Sequence, residues 1–126
     1  MSNVSQPIRL MIVDDSTTMQ KRIASAAQHR KNLEVVATAS NGADAIHYFK
    51  ARKPNLVTMD ITMPKLNGIL TIERLIAIDD TVKILVISSL NDLNTALRAI
   101  EAGGSAFLNK PFSDEEFKAQ LKGLGF

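Results

Sequence analysis

Residues 57–64, VTMDITMP, begin as a buried strand that ends on a single acid. Leu56, Val57 and Met59 form an apolar run that stops at the carboxylate of Asp60. Pro64 follows at a point where no strand continues. Apolar runs of this length are typical of strands buried on both faces of a parallel sheet. Asp60 is therefore expected at the carboxyl end of such a strand, which is where open parallel sheets bind their ligands.

The same apolar runs recur along the whole chain and are separated by segments with helical spacing. Strands are predicted at 8–13, 33–39, 55–60, 82–88 and 106–109, and helices at 17–30, 42–52, 68–78, 91–102 and from 113 to about 124. Ser40 or Asn41 is the expected cap of the second helix, and Ser113 with Glu116 forms a capping box for the last one. Five strand–helix repeats predict an α/β fold in which a five-stranded parallel sheet carries helices on both faces.

The composition indicates one soluble domain over residues 1–126, with 1–7 as a short N-terminal extension. Apolar residues make up 45% of the chain and charged residues 22%, which is a globular balance. The absence of cysteine excludes disulfides and thiolate metal sites. The chain shows neither a membrane-length apolar run nor the layout of a signal peptide, so a cytoplasmic protein without membrane contact is expected. Its net charge of +2 is scattered, which argues against a nucleic-acid partner.

Polar side chains stand where four of the predicted strands end. They are Asp14 and Asp15 just after the first strand, Asp60 at the end of the third, Ser88 at the end of the fourth and Lys110 just after the fifth. Three carboxylates at close range repel one another, and a hard divalent cation relieves that repulsion. Oxygen ligands without nearby His or Cys indicate Mg²⁺ or Mn²⁺. The sequence therefore predicts a magnesium-type site at this edge of the sheet.

A phosphoryl group would complete this arrangement, because Mg²⁺ takes one or two carboxylates and usually binds phosphate oxygens besides. Lys110 offers a cation to one phosphate oxygen, and Ser88 can donate a hydrogen bond to another. Asp60 is then the candidate nucleophile that forms an acyl phosphate. The metal and Lys110 would neutralise the charge spread over the transferring group.

Taken together, these residues resemble the receiver domain of two-component response regulators, and most closely its single-domain chemotaxis type. The resemblance runs from Ile8 to about Leu124. It is carried by the acid pair 14–15, by Asp60 within MDITMPKLNG, by Ser88, by the Lys-Pro pair of NKPF and by Phe107. It implies a flavodoxin-like fold with strand order 2-1-3-4-5.

The resemblance also implies a role for each residue of the site. Asp60 would be the phosphoacceptor, Asp15 a direct Mg²⁺ ligand and Asp14 a ligand acting mainly through water. The backbone carbonyl of Thr62 would also bind the metal, and Lys110 would pair with the phosphoryl group. Ser88 and Phe107 would form the switch that reshapes the surface of the fourth helix, fifth strand and fifth helix. Pro64, Gly68 and Pro111 would set loop geometry, the last after a cis peptide bond.

By the same resemblance, a histidine kinase or a histidine phosphotransfer protein supplies the phosphoryl group. A downstream protein then reads the switched surface, with a flagellar motor switch, a kinase or another protein as candidates and a chemotaxis output favoured. The chain would be a monomer or a weak dimer that forms on phosphorylation. It would be no enzyme apart from catalysing its own phosphorylation and dephosphorylation.

Two other functions fit parts of the sequence. A Mg²⁺-dependent phosphatase with an aspartyl-phosphate intermediate usually carries a second acid two residues after the nucleophile, where this chain has Thr62. A flavin-binding electron carrier needs a hydroxyl-rich loop after the first strand and flanking aromatic residues. The hydroxyls at 16–18 match the first requirement only faintly, aromatic residues make up 5% of the chain, and Trp is absent.

Overall fold

The computed structural model describes residues 7–61, 68–89 and 93–126. Strands and helices alternate along these residues, and each strand lies within one residue of its predicted position. The elements are β1 (Ile8–Val13), α1 (Thr17–Ala27), β2 (Leu33–Ala39), α2 (Gly42–Arg52), β3 (Leu56–Asp60), α3 (Gly68–Ile78), β4 (Lys83–Ser88), α4 (Leu93–Glu101), β5 (Ala106–Asn109) and α5 (Asp114–Gly123). Within the described ranges, no helix is long and apolar enough to cross a membrane.

The strands form one parallel sheet in the order β2-β1-β3-β4-β5. The prediction of an α/β fold with strand order 2-1-3-4-5 is therefore confirmed. β3 is the central strand, and all five of its residues are buried. Because β3 pairs with β1 on one side and β4 on the other, its last residue, Asp60, lies between the ends of those two strands.

Two apolar layers cover the sheet, one on each face, because successive residues of a strand point to opposite sides. On one face, Val57 and Met59 pack with residues of α2, α3 and α4, including Phe49 and Leu75. On the other face, the strands pack against Ile23 of α1 and against Phe117 and Leu121 of α5, among others. The two layers fix the sheet between helices, so that its carboxyl edge forms one surface.

The helix ends can be compared with their predicted positions and caps. α1 ends at Ala27 rather than at residue 30, because Arg30 N donates to the Ala27 carbonyl and closes a turn there. The cap of α2 is Asn41, whose side chain accepts a hydrogen bond from Asp44 N. The capping box of Ser113 and Glu116 at the start of α5 is confirmed. The predicted start of the fourth helix, at residue 91, lies outside the described residues.

α4 carries its apolar residues on its outer face. Leu93, Leu97 and Ile100 share one side, as their spacing predicts, but they are 72%, 52% and 42% exposed. The buried residue of α4 is Ala99. An added Cβ at Gly104 would lie 2.9 Å from the Ala99 carbonyl oxygen, so the chain passes close to α4 on its small side. α4 thus packs through alanine and leaves an apolar strip in solvent.

Candidate functional site

Three carboxylates lie together at the carboxyl ends of β1 and β3. Asp14, Asp15 and Asp60 each offer an oxygen atom, and these oxygens lie within 4.8 Å of one another. Asp14 and Asp60 are 1% and 3% exposed, whereas Asp15 is open to solvent. The donor set consists of carboxylate oxygens with one side facing water, which fits Mg²⁺ because this ion keeps several of its water ligands. These three residues could hold such an ion.

Asp14 is held from two directions, by the N-cap and by the first turn of α1. Its Oδ1 accepts a hydrogen bond from Ser16 N at 2.9 Å, and its backbone carbonyl accepts one from Gln20 Nε2 at 2.6 Å. Burial raises the pKa of Asp14 above its ordinary value, the bond from Ser16 opposes that rise, and the nearby Asp60 carboxylate adds to it. Asp14 therefore keeps its proton to a higher pH than an exposed aspartate does.

Lys110 places its ammonium against both buried acids. Its Nζ lies 3.2 Å from Asp14 Oδ2 and 3.6 Å from Asp60 Oδ2. The backbone N–H of Lys110 donates to the Ser88 carbonyl at 3.0 Å and so continues the pairing of β4 with β5. The Lys110–Pro111 peptide bond is cis, as predicted. The lysine thus bridges β1, β3 and β5 at the edge of the sheet.

Ser88 and Phe107 lie on the same face of the sheet. Ser88 is the last residue of β4 and is fully buried. Val86, two residues earlier, pairs with Phe107 of β5, so Ser88 and Phe107 point toward the layer that α4 covers. Phe107 is half-buried and packs against that layer. Both residues therefore face the layer that includes Ala99 of α4.

Gly68 holds the start of α3 tightly against the end of β3. An added Cβ at Gly68 would lie 2.4 Å from the Cα of Ile61 and 2.6 Å from the carbonyl oxygen of Asp60. Both contacts are to backbone, which cannot move aside as the tip of a side chain can. Thr62 and Pro64, the other residues predicted near this turn, lie outside the described residues.

Gln20 was not singled out by sequence reasoning. In the structure its amide donates to the Asp14 carbonyl and, at 3.2 Å, to Ser40 Oγ, so it ties the acid loop to the end of β2. A signal for this role exists, because side chains of a helix lean toward its N-terminus. A long amide in the first turn therefore reaches back to the strand end that carries the acids.

Comparison with known proteins gives a consistent result for sequence and structure. A sequence profile of the response regulator receiver domain matches residues 10–122. The chemotaxis protein CheY of Thermotoga maritima is 39% identical over 104 residues, which cover 82% of this chain and 86% of that protein. CheY of Listeria monocytogenes is 34% identical over 115 residues, covering 91% and 96%. The solved response regulator domain of Thermotoga maritima CheB superposes with a TM-score of 0.79 at 28% identity, covering 94% of this chain and 92% of that one.

Proposed function

The chain belongs to the family of response regulator receiver domains, and we propose that it acts as a phosphoacceptor switch of a two-component system. The observation that carries the proposal is the environment of Asp60. This carboxylate ends the central strand, lies 3.6 Å from the Lys110 ammonium and shares a cluster of oxygens with Asp14 and Asp15. A nucleophilic acid beside a cation and a metal-type oxygen cluster is the arrangement that phosphoryl transfer requires.

In the proposed reaction, a carboxylate oxygen of Asp60 attacks the phosphorus of a phosphohistidine on the donor protein. The new oxygen–phosphorus bond forms as the phosphorus–nitrogen bond breaks, and the donor ring, protonated on its other nitrogen, leaves as neutral imidazole with the electron pair of that bond. Lys110 stabilises the charge on the phosphoryl oxygens during transfer. Asp14, Asp15 and Asp60 would hold Mg²⁺, which would supply further charge neutralisation, and the carbonyl of Thr62 is proposed as an additional ligand from the resemblance.

The proposed output is a change in the surface formed by α4, β5 and α5. Ser88 and Phe107 share the face of the sheet that α4 covers, so a phosphoryl group drawn toward Ser88 would displace the packing around Phe107. The exposed strip of Leu93, Leu97 and Ile100 on α4 supports a protein partner at this surface, since contiguous exposed apolar residues mark interaction sites. A histidine kinase or phosphotransfer protein would be the donor. Similarity to chemotaxis CheY proteins favours a motility output.

The proposal is tested by phosphorylation with a small phosphodonor such as phosphoramidate, with and without Mg²⁺, followed by intact-protein mass measurement. Wild type is expected to gain one phosphoryl group that is stable in acid, labile in base and dependent on Mg²⁺. Asp60→Asn should gain none. The matched control is Asp79→Asn, because Asp79 is an exposed acid in a turn at the opposite edge of the sheet, hydrogen-bonded to Thr81. Phosphorylation of Asp60→Asn at the wild-type level would overturn the proposal.

A further inference from the structure

Arg22 of α1 makes three contacts with the segment that follows β5. Its Nη2 donates to the Phe112 carbonyl at 2.9 Å, and its Nη1 pairs with Asp114 Oδ1 at 2.7 Å. Its guanidinium also lies 4.9 Å from the centre of the Phe112 ring. Phe112 is two residues beyond Lys110 and is buried. One side chain of α1 therefore binds the backbone, the ring and the helix start that come directly after the lysine of the site.

These contacts complete the anchoring of the Lys110 segment. Before the segment turns, Lys110 N donates to the Ser88 carbonyl, which fixes it to β4. After the turn, Arg22 fixes the Phe112 carbonyl to α1, and the Phe112 ring stacks on Phe117 of α5 with the ring centres 5.9 Å apart. The backbone on either side of the lysine is thus held by different elements of the fold.

The same helix also holds the acid that Lys110 contacts. The N-cap and first turn of α1 bind Asp14 through Ser16 N and Gln20, and Arg22 lies in the next turn. α1 is therefore connected to both partners of the contact between Lys110 Nζ and Asp14 Oδ2. A helix that binds both sides of this contact sets the position of the ammonium relative to the carboxylates.

A lysine at position 22 could not replace the arginine. The guanidinium uses two nitrogen atoms for two acceptors and its flat face for the ring, which an ammonium cannot do at once. The pKa of the Asp114 carboxyl is lowered, chiefly by the hydrogen bond from Arg22, so this acceptor stays ionised. His29 Nε2 lies 3.3 Å from the other oxygen of Asp114.

An ordinary surface ion pair is the alternative reading, since Arg22 and Asp114 are each 36% exposed and such pairs contribute little to stability. The bond to the Phe112 carbonyl and the contact with its buried ring are not explained by an ion pair. They constrain backbone geometry next to Lys110. We propose that Arg22 is a positioning residue that holds the Lys110 ammonium between Asp14 and Asp60 for phosphoryl transfer.

This inference rests on the proposed function and is tested by the rate of phosphorylation with phosphoramidate at saturating Mg²⁺. Arg22→Gln should slow the reaction about tenfold, because small displacements of a charged group cost rate steeply. Arg22→Lys should not restore the rate. In a Lys110→Ala background, Arg22→Gln should cause no further loss, since its effect passes through the lysine. If Arg22 acted only on the stability of the fold, its substitution would reduce the phosphorylation rate by the same factor with and without Lys110.

Arg9 offers a matched control. It also donates to backbone carbonyls, those of Arg52 and Lys53, but lies at the opposite edge of the sheet. The Arg9→Gln variant should be phosphorylated at the wild-type rate. A wild-type rate in Arg22→Gln, or additive losses in the double variant, would overturn the inference.

A second measurement does not depend on phosphorylation. The side-chain ε-carbon resonance of Lys110, assigned by its loss in Lys110→Ala, should shift in Arg22→Gln and stay in place in Arg9→Gln. An unmoved Lys110 resonance in folded Arg22→Gln would overturn the positioning role. If wild type accepts no phosphoryl group, the proposed function fails, and the resonance still decides the position of the lysine separately.

Discussion

Replacing Lys110 with methionine should destabilise the protein in a way that depends on pH and Mg²⁺. The ammonium lies 3.2 Å and 3.6 Å from oxygens of Asp14 and Asp60, and at an effective dielectric constant near 20 each contact is worth about 5 kcal/mol before desolvation. Desolvation of the three charges offsets most of this sum. Removing one partner of a buried pair typically costs 3–5 kcal/mol. Because the Lys110 side chain keeps 16% of its surface in water, we expect a loss of about 2–3 kcal/mol near neutral pH without Mg²⁺.

The pH dependence of this loss follows from the direction of the Asp14 shift. Burial already raises the pKa of Asp14 above 3.8, and removing Lys110 raises it further. A carboxyl with a raised folded-state pKa binds more protons in the folded protein, so the free energy of unfolding falls as pH rises from about 3.8 through the folded-state pKa. The free energy of unfolding of the Lys110→Met variant should therefore fall furthest below that of wild type above this pH range and approach it below the range. Mg²⁺ stabilises both proteins by mass action, about 2.7 kcal/mol at 100 times the dissociation constant. It should stabilise the variant more than wild type, because no ammonium competes with the ion for Asp14 and Asp60 there, so the difference between the two proteins should narrow.

Urea unfolding of wild type and Lys110→Met, at about pH 8 and about pH 4, with and without Mg²⁺, measures these differences. Lys83→Met is the control, because Lys83 is an exposed lysine at the opposite end of β4. Its effect should stay within about 0.5 kcal/mol under every condition. A Lys110→Met variant as stable as wild type at the higher pH without Mg²⁺ would refute the reasoning. So would a loss that neither pH nor Mg²⁺ changes.

Three further substitutions test other parts of the structure. Gly68→Ala should lower the free energy of unfolding by about 2–3 kcal/mol and slow phosphorylation, because the added Cβ would lie 2.4 Å from the Ile61 Cα. The control is Gly123→Ala, whose added Cβ would have no atom within 4 Å, and equal effects of the two substitutions in urea unfolding would contradict the prediction. Thr58→Val should raise the free energy of unfolding by about 1 kcal/mol and the melting temperature by about 3–5 °C, because the buried Thr58 hydroxyl has no hydrogen-bond partner among the described residues. A lower melting temperature would show that the hydroxyl has a partner. Asp15→Asn should abolish the Mg²⁺ binding that calorimetry measures and, since Asp15 is exposed, should change the free energy of unfolding by less than about 0.5 kcal/mol. Mg²⁺ binding by the variant would show that Asp15 is not a ligand.

The fold followed largely from local patterns. Apolar runs such as the one ending at Asp60 mark strands buried on both faces, and helical spacing between them marks the crossovers. These patterns predict where strands and helices lie along the chain, but not which strands pair in the sheet. The predicted strand order came from the family resemblance. The outward apolar strip of α4 shows the same limit. The spacing of Leu93, Leu97 and Ile100 predicts a common face, but packing through Ala99 decides that this face looks outward.

The site could be predicted where strand ends determine it. Asp60 ends a strand, Asp14 and Lys110 each come directly after one, and parallel strands bring their carboxyl ends to one edge of the sheet. Arg22 could not be found this way, because its partner Phe112 lies 90 residues away and the contact depends on how α1 packs beside α5. The raised pKa of Asp14 likewise depends on burial, which the residue sequence near it does not show.

Chemical trapping identifies the residue that carries the phosphoryl group. Borohydride reduces an aspartyl phosphate to homoserine, so phosphorylated protein can be reduced, digested and mapped by mass spectrometry. We predict homoserine at position 60 only when phosphodonor and Mg²⁺ are both present, and unchanged aspartate at Asp14, Asp15 and Asp79. Homoserine at one of those other acids, or a phosphoryl group retained on His29 or His47 with Asp60 unmodified, would contradict the assignment of Asp60 as the phosphoacceptor.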